Sequence, residues 1–155
     1  MPFKDPLAEY LVTEYVSSNF NLMFSGESDI VEYKLDLDKK TNNKEFLETV
    51  CSFSNSINGG YIFIGMDDNM NCKGIEKYKI KSYKQSIEDS IRSRIDPQPV
   101  EFEINERDCN GKKILEVRIY AGKSKPYCIK DAGYYIRVKA TDRIPTHDEI
   151  ISLIS

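Results

Sequence analysis

The sequence contains one histidine, His147, and four cysteines, Cys51, Cys72, Cys109 and Cys128, with no Cys-x-x-Cys pair among them. A tetrahedral zinc site needs several such ligands at short spacing, so a structural zinc is excluded. A disulfide framework is not expected either, and a reducing cytoplasm is the default compartment. No apolar run approaches the length needed to cross a bilayer as a helix. The opening Met1-Pro2-Phe3-Lys4-Asp5 lacks the basic-then-apolar layout of a secretory signal. Gly59-Gly60 and Gly65 are not followed by Gly-Lys-Ser/Thr, which excludes a phosphate-cradling nucleotide loop. No serine or cysteine has a recognisable base beside it, and His147 stands where a helix should begin, so an activated nucleophile has no support. Repeats, low-complexity tracts and linkers are absent, and 155 residues with 40% hydrophobic and 30% charged side chains make one soluble domain with a real core. An excess of positive charge is missing too. With 22 Lys and Arg against 25 Asp and Glu, the formal charge is −3, which by itself argues against a nucleic-acid binder.

The charge is unevenly spread. Residues 5–38 carry eight acids against the single base Lys34, residues 73–94 carry seven bases against three acids, and residues 123–143 carry six bases against two. Such blocks arise from solvated faces, from internal neutralisation, or from a carboxylate site flanked by a polyanion-binding rim.

Hydrophobic periodicity gives an α+β class, a mixed sheet with helices packed on it. The first twenty residues carry a weak helical stripe. Ile30–Leu37 alternates, with Val31, Tyr33, Leu35 and Leu37 on a buried side and Glu32, Lys34 and Asp36 on a polar one. Asn42 with Glu45 predicts the start of a helix that Asn58-Gly59-Gly60 ends. Tyr61–Met66 is apolar throughout, the pattern of a central strand covered on both faces. Ser82 with Gln85 predicts the cap of a helix carrying Tyr83, Ile87, Ile91 and Ile95, which Pro97 and Pro99 stop. Asn110-Gly111 predicts a hairpin, a second joins Tyr127–Lys130 to Tyr134–Lys139, and Thr146 with Glu149 opens a last short helix.

The candidate chemistry lies in carboxylates. Glu32 and Lys34 sit two apart on a strand, projecting from one face about 6.6 Å apart. In that geometry the carboxylate can take a hard divalent cation while the ammonium stabilises charge developing on a phosphate. The plain alternative is a surface ion pair. Glu27 lies five residues earlier and falls on the opposite face unless the chain bends, which Gly26 permits. Asp67 or Asp68, at the end of the buried strand, is the third candidate acid. Three converging carboxylates would repel one another without a cation such as Mg²⁺ or Mn²⁺ between them. Tyr78, Tyr83, Tyr134 and Tyr135 lie among bases, where tyrosines stack nucleobases or pack the core.

Glu27-Ser28-Asp29-Ile30-Val31-Glu32-Tyr33-Lys34, Ser52-Phe53-Ser54-Asn55-Ser56, Gly59–Asp68 and Gly74, followed by Lys125-Pro126 and Tyr134–Val138, together resemble the Schlafen-type AlbA-like domain. The similarity covers about residues 25–150, which leaves residues 1–24 as an N-terminal helical extension and 25–155 as a single lobe of that domain. The chain departs from the family pattern at Tyr33, where Phe is usual, and at Cys51-Ser52-Phe53-Ser54, where small apolar residues are commoner. It also has an extra residue between Asn55 and Gly59 and lacks a zinc-binding segment.

The resemblance implies nucleic-acid handling, and some Schlafen proteins cleave transfer and ribosomal RNA as metal-dependent endoribonucleases. By motif position, Glu27, Glu32 and Asp68 would hold Mg²⁺ or Mn²⁺ with Lys34 as the fourth catalytic residue. Lys34, Lys39, Lys40, Arg137 and Lys139 would contact phosphates. Active relatives build a groove from two lobes, so a single lobe implies a homodimer, acting on RNA in the cytoplasm. The alternative is a non-catalytic DNA- or RNA-binding module of a regulatory protein.

Overall fold

The computed structural model describes residues 22–155. Four strands form the main sheet in the order β1-β2-β5-β4: β1 Val31–Lys34, β2 Gly60–Ile64, β4 Phe102–Cys109 and β5 Lys112–Ile119. β1 and β2 run parallel and are joined through helix α1, Lys44–Ser54, while β5 runs antiparallel to both β2 and β4. Helix α2, Ile80–Arg94, leads into β3, Ile95–Asp96, which pairs with β6, Cys128–Ile129; β6 in turn pairs with β7, Gly133–Tyr134. β8, Ile136–Val138, and β9, Thr141–Arg143, form a separate hairpin before helix α3, His147–Ile154. The class is α+β, as the sequence pattern indicates.

Alternation along β2 explains the core. Ile62 and Ile64 enter one cluster with Leu47, Val50, Phe53, Ile87, Ile91, Leu115 and Val117. Tyr61 and Phe63 enter a second with Val31, Tyr33, Met66 and Ile114. A strand with period-2 side chains buried on both faces requires such an unbroken apolar run. At Gly60 a Cβ would lie 2.6 Å from the Phe53 ring, so the helix-to-strand connection tolerates no side chain there.

Several sequence expectations are corrected. β1 ends at Lys34, not Leu37, because its partner β2 stops at Ile64 and the Gly65 N–H takes the Lys34 carbonyl at 2.8 Å; Leu35 then turns out to solvent, 56% exposed. The residue at the start of α1 is Asn43, and Asn42 closes the preceding 3-10 turn, Lys39–Thr41. Helix α2 begins two residues before Ser82. A 3-10 turn, Lys77–Lys79, runs directly into it and supplies carbonyls to its first amides, so no side-chain cap is needed. The second hairpin is shorter than expected: Tyr135 leaves the ladder to give its carbonyl to Asn55 Nδ2 at 2.8 Å, and Ile136–Val138 pairs with β9 instead. The Asn110-Gly111 hairpin forms with positive φ at both residues, and Thr146 with Glu149 makes a complete capping box on α3.

The structure also pairs Cys72 with Cys109 in a disulfide, against the expectation of none. The turn after β2 folds back through a Met66–Cys72 bridge and brings Cys72 to the end of β4, with the two Cα atoms 5.8 Å apart. Cys51 and Cys128 are free thiols. The expected N-terminal helix lies outside the described residues; Leu22–Phe24 is a 3-10 turn that buries Leu22 and Met23 in the second cluster. No helix among the described residues is long and apolar enough to cross a membrane.

Candidate functional site

The chain bends ahead of β1. Gly26 adopts φ 89°, its N–H donates to the Tyr33 hydroxyl at 3.0 Å, and that hydroxyl donates to the Met23 carbonyl at 2.7 Å. Ser28 N–H closes the turn on the Val31 carbonyl at 3.0 Å. This bend brings the exposed Glu27 carboxyl close enough to Glu32 to raise its pKa. Two of the three candidate acids therefore meet.

Glu32 is not on a solvated face. It is 7% exposed and accepts from Arg137 Nη1 at 2.8 Å. Burial first, then the Glu27 carboxyl, push its pKa up from 4.5 to about 7, against the opposing pull of Arg137 and Lys34. Arg137, on β8, has all five guanidinium N–H groups engaged: Nε and Nη2 on the Ser28 carbonyl, Nη2 also on the Val31 carbonyl, and Nη1 on Glu32 and Asp142. Its guanidinium lies 5.1 Å from the Phe53 ring centroid. Asp142, on β9, also accepts from Thr49 of α1 at 2.6 Å. One buried cation thus ties β1, α1 and the β8–β9 hairpin together. The expectation that Arg137 contacts phosphate is corrected: its side chain is 1% exposed and has no donor to spare.

The third acid stands apart. Asp67 organises its own turn, accepting from the Asn69 and Asn71 amides at 2.9 Å each, and these bonds hold its carboxyl below the usual range. Asp68 is exposed beside it. Among the described residues, no three His, Cys, Asp or Glu side chains gather closely enough to hold a metal ion. Glu32 moreover already shares the Arg137 guanidinium with Asp142. The arrangement does not fit Mg²⁺ or Mn²⁺, and no metal-dependent step follows from it.

The expected basic residues divide by environment. Lys34 is half-buried beside Glu32. Lys139 is exposed at the tip of the β8–β9 hairpin, and Lys39 and Lys40 are exposed on the 3-10 turn that Asp38 caps. None of these four enters an ion pair among the described residues. Lys39 and Lys40 line a groove of about 570 Å³ together with Leu37, Asp38, Lys79 of the 3-10 turn, and Ser82 and Tyr83 of α2. Sequence periodicity put Tyr83 on α2, but nothing in the pattern joined α2 to Lys39 and Lys40. Asp142 was also missed, having no motif or spacing to mark it.

The Schlafen, AlbA_2 sequence profile matches residues 27–146. This chain belongs to that Schlafen family. No curated protein matches it. Two solved structures show the same fold. A Corynebacterium diphtheriae protein superposes with TM-score 0.61 at 18% identity over 96% of this chain. The N-terminal domain of a RecG-related protein from Nitrosomonas europaea, described as an ATP-dependent DNA helicase, superposes with TM-score 0.50 at 20% identity over 90% of this chain and 95% of its own. The chain spans 29% of the length of the Corynebacterium protein.

Proposed function

We propose that this Schlafen-family lobe is a nucleic-acid-binding domain, favouring RNA, acting in the cytoplasm and pairing with a second copy. The observation that carries the reading is the groove itself, lined by Lys39, Lys40 and Lys79, of which Lys39 and Lys40 have no carboxylate paired to them among the described residues. Uncompensated ammonium groups along a concave surface release counterions when phosphates replace their solvent shell, which makes binding favourable and salt-dependent. Family membership and the helicase-related neighbour point the same way.

The test is a titration of labelled transfer RNA at several salt concentrations, with Lys39→Glu/Lys40→Glu as the comparison. The reading expects affinity to fall log-linearly with salt and the double variant to show a slope shallower by about 2. Salt-independent binding, or a variant indistinguishable from the parent, would remove it. Sedimentation equilibrium of the protein alone tests the paired state.

A second reading, RNA cleavage, draws on one observation: Glu27 and Glu32 meet, and burial keeps a proton on the pair near neutral pH. Incubating the RNA with Mg²⁺ or Mn²⁺, with and without chelator, beside Glu27→Gln and Asp68→Asn decides it. Cleavage in chelator that Glu27→Gln abolishes would establish acid–base cleavage by the pair, whereas chelator-sensitive cleavage lost in both variants would mean that the Asp68 turn closes on a cation with Glu27.

A further inference from the structure

We propose that the groove beside Lys39 and Lys40 takes an unpaired stretch of nucleic acid, with Tyr78 as the platform on which a base stacks. The inference rests on the nucleic-acid reading above and narrows it to a ligand class and a place.

Three ammonium groups, from Lys39, Lys40 and Lys79, line the groove against one carboxylate, Asp38, whose Oδ1 is already engaged by the Lys40 amide at 3.1 Å. Lys79 keeps only a loose exposed contact with Glu76, 3.8 Å, of the sort a phosphate displaces readily. The Tyr83 hydroxyl donates to Asp36, which fixes its ring in the groove wall. A volume of about 570 Å³ lies in the range of small-ligand clefts, which run roughly 300–1,000 Å³. A single strand can lay its backbone into such a space, whereas a duplex, with its phosphates on a broad cylinder, touches only the rim.

Tyr78 supplies the second element. It is 76% exposed, directly precedes Lys79 in the chain, and has the Lys79 ammonium 5.8 Å from its ring centroid. A basic groove with an aromatic face beside it is the combination by which proteins hold single strands without reading sequence, the lysines taking phosphates and the ring taking a base.

Fluorescence anisotropy with 5′-labelled dodecamers tests this, using oligo(rU), oligo(dT), and oligo(dT) annealed to oligo(dA). The expected result is single-strand binding at least about tenfold tighter than duplex binding at equal salt. Tyr78→Ala should weaken single-strand binding about tenfold, within the range for loss of one stacked base, and Tyr78→Phe should restore it. The oligo(rU) and oligo(dT) arms tell RNA from DNA, and preference for either supports the proposal. Because Tyr78 is exposed, its variants should melt with the parent. Duplex binding as tight as single-strand binding, or no effect of Tyr78→Ala, overturns the single-strand site while leaving lysine-dependent, salt-sensitive binding intact. Failure of the parent protein to bind any probe overturns both readings.

Discussion

The Arg137 guanidinium and the Glu32 carboxylate face each other at 2.8 Å, with side chains 1% and 9% exposed. A charge so deeply placed is tolerated only with its partner present, and removing one partner costs far more than the pair contributes. Arg137→Met would strand Glu32 and Asp142 and free the Ser28 and Val31 carbonyls at once. The expected loss is about 3–5 kcal/mol in urea denaturation. Glu32→Gln, which keeps an acceptor for Arg137, should cost less. A loss below about 1 kcal/mol for Arg137→Met would show that the pair does not hold the β8–β9 hairpin.

The same pair makes stability depend on pH. With the folded pKa of Glu32 raised from 4.5 to about 7, first by burial and then by Glu27, the folded state binds this proton more tightly than the unfolded chain. Its contribution is therefore full below about pH 4.5 and is lost as pH rises through about 7, by up to about 3 kcal/mol at 1.36 kcal/mol per pKa unit. Glu27→Gln replaces the competing carboxyl with an amide that can donate to Glu32, so the variant should lose less stability between pH 5 and 8, by about 0.7 kcal/mol for each half pKa unit recovered. Denaturation midpoints across that range check it. Parallel curves for parent and variant would show that Glu27 does not act on Glu32.

Divalent cations should leave the fold unchanged. A site that bound Mn²⁺ a hundredfold below the concentration supplied would stabilise the folded state by about 2.7 kcal/mol, a rise of at least about 5 °C for a chain this size. With Asp68 apart from Glu27 and Glu32, melting in Mn²⁺ and in chelator should coincide within about 1 °C. A rise that disappears in both Glu27→Gln and Asp68→Asn would mean that the turn after β2 closes on a cation.

What could be read from the sequence was local. The apolar run of β2, the turn at Asn110-Gly111 and the capping box at Thr146 each draw their physics from neighbours within a few residues; the turn and the box formed where expected, and β2 formed as a covered central strand at Gly60–Ile64, ending two residues before Met66. The burial of Glu32 on the polar side of β1 was not legible, because the charge that permits it lies 105 residues away, on β8. The β1 boundary was set by where β2 stops, and the start of α2 by the 3-10 turn feeding it; neither cause lies in the pattern of the segment itself. In the candidate site, Glu27, Glu32, Lys39 and Lys40 were legible through motif and charge. Their division into a buried clasp and an open groove was not, because it depends on which distant side chains reach them.

The Cys72–Cys109 link gives the last prediction, and it bears on compartment as well as stability. It closes a chain segment with a sequence separation of 37, and the loss of loop-closure entropy in the unfolded chain corresponds to about 3–4 kcal/mol. Dithiothreitol should therefore lower the urea midpoint of the parent protein, and Cys109→Ser should lower it similarly and abolish the response to reductant. Cys51 cannot substitute as a partner: it is buried on α1, its thiol pushed up to about 12 chiefly by burial, so it carries little of the thiolate that exchange requires. A reducing cytoplasm would keep the link open, leaving the Asp67–Asp68 turn to its Met66–Cys72 bridge, its own amides, the Lys73 and Gly74 amides on the Gly65 carbonyl and the Lys73–Asp67 contact. If reductant leaves the midpoint unchanged and both thiols react with an alkylating probe when the protein is unfolded without reductant, the pair is not bonded in solution.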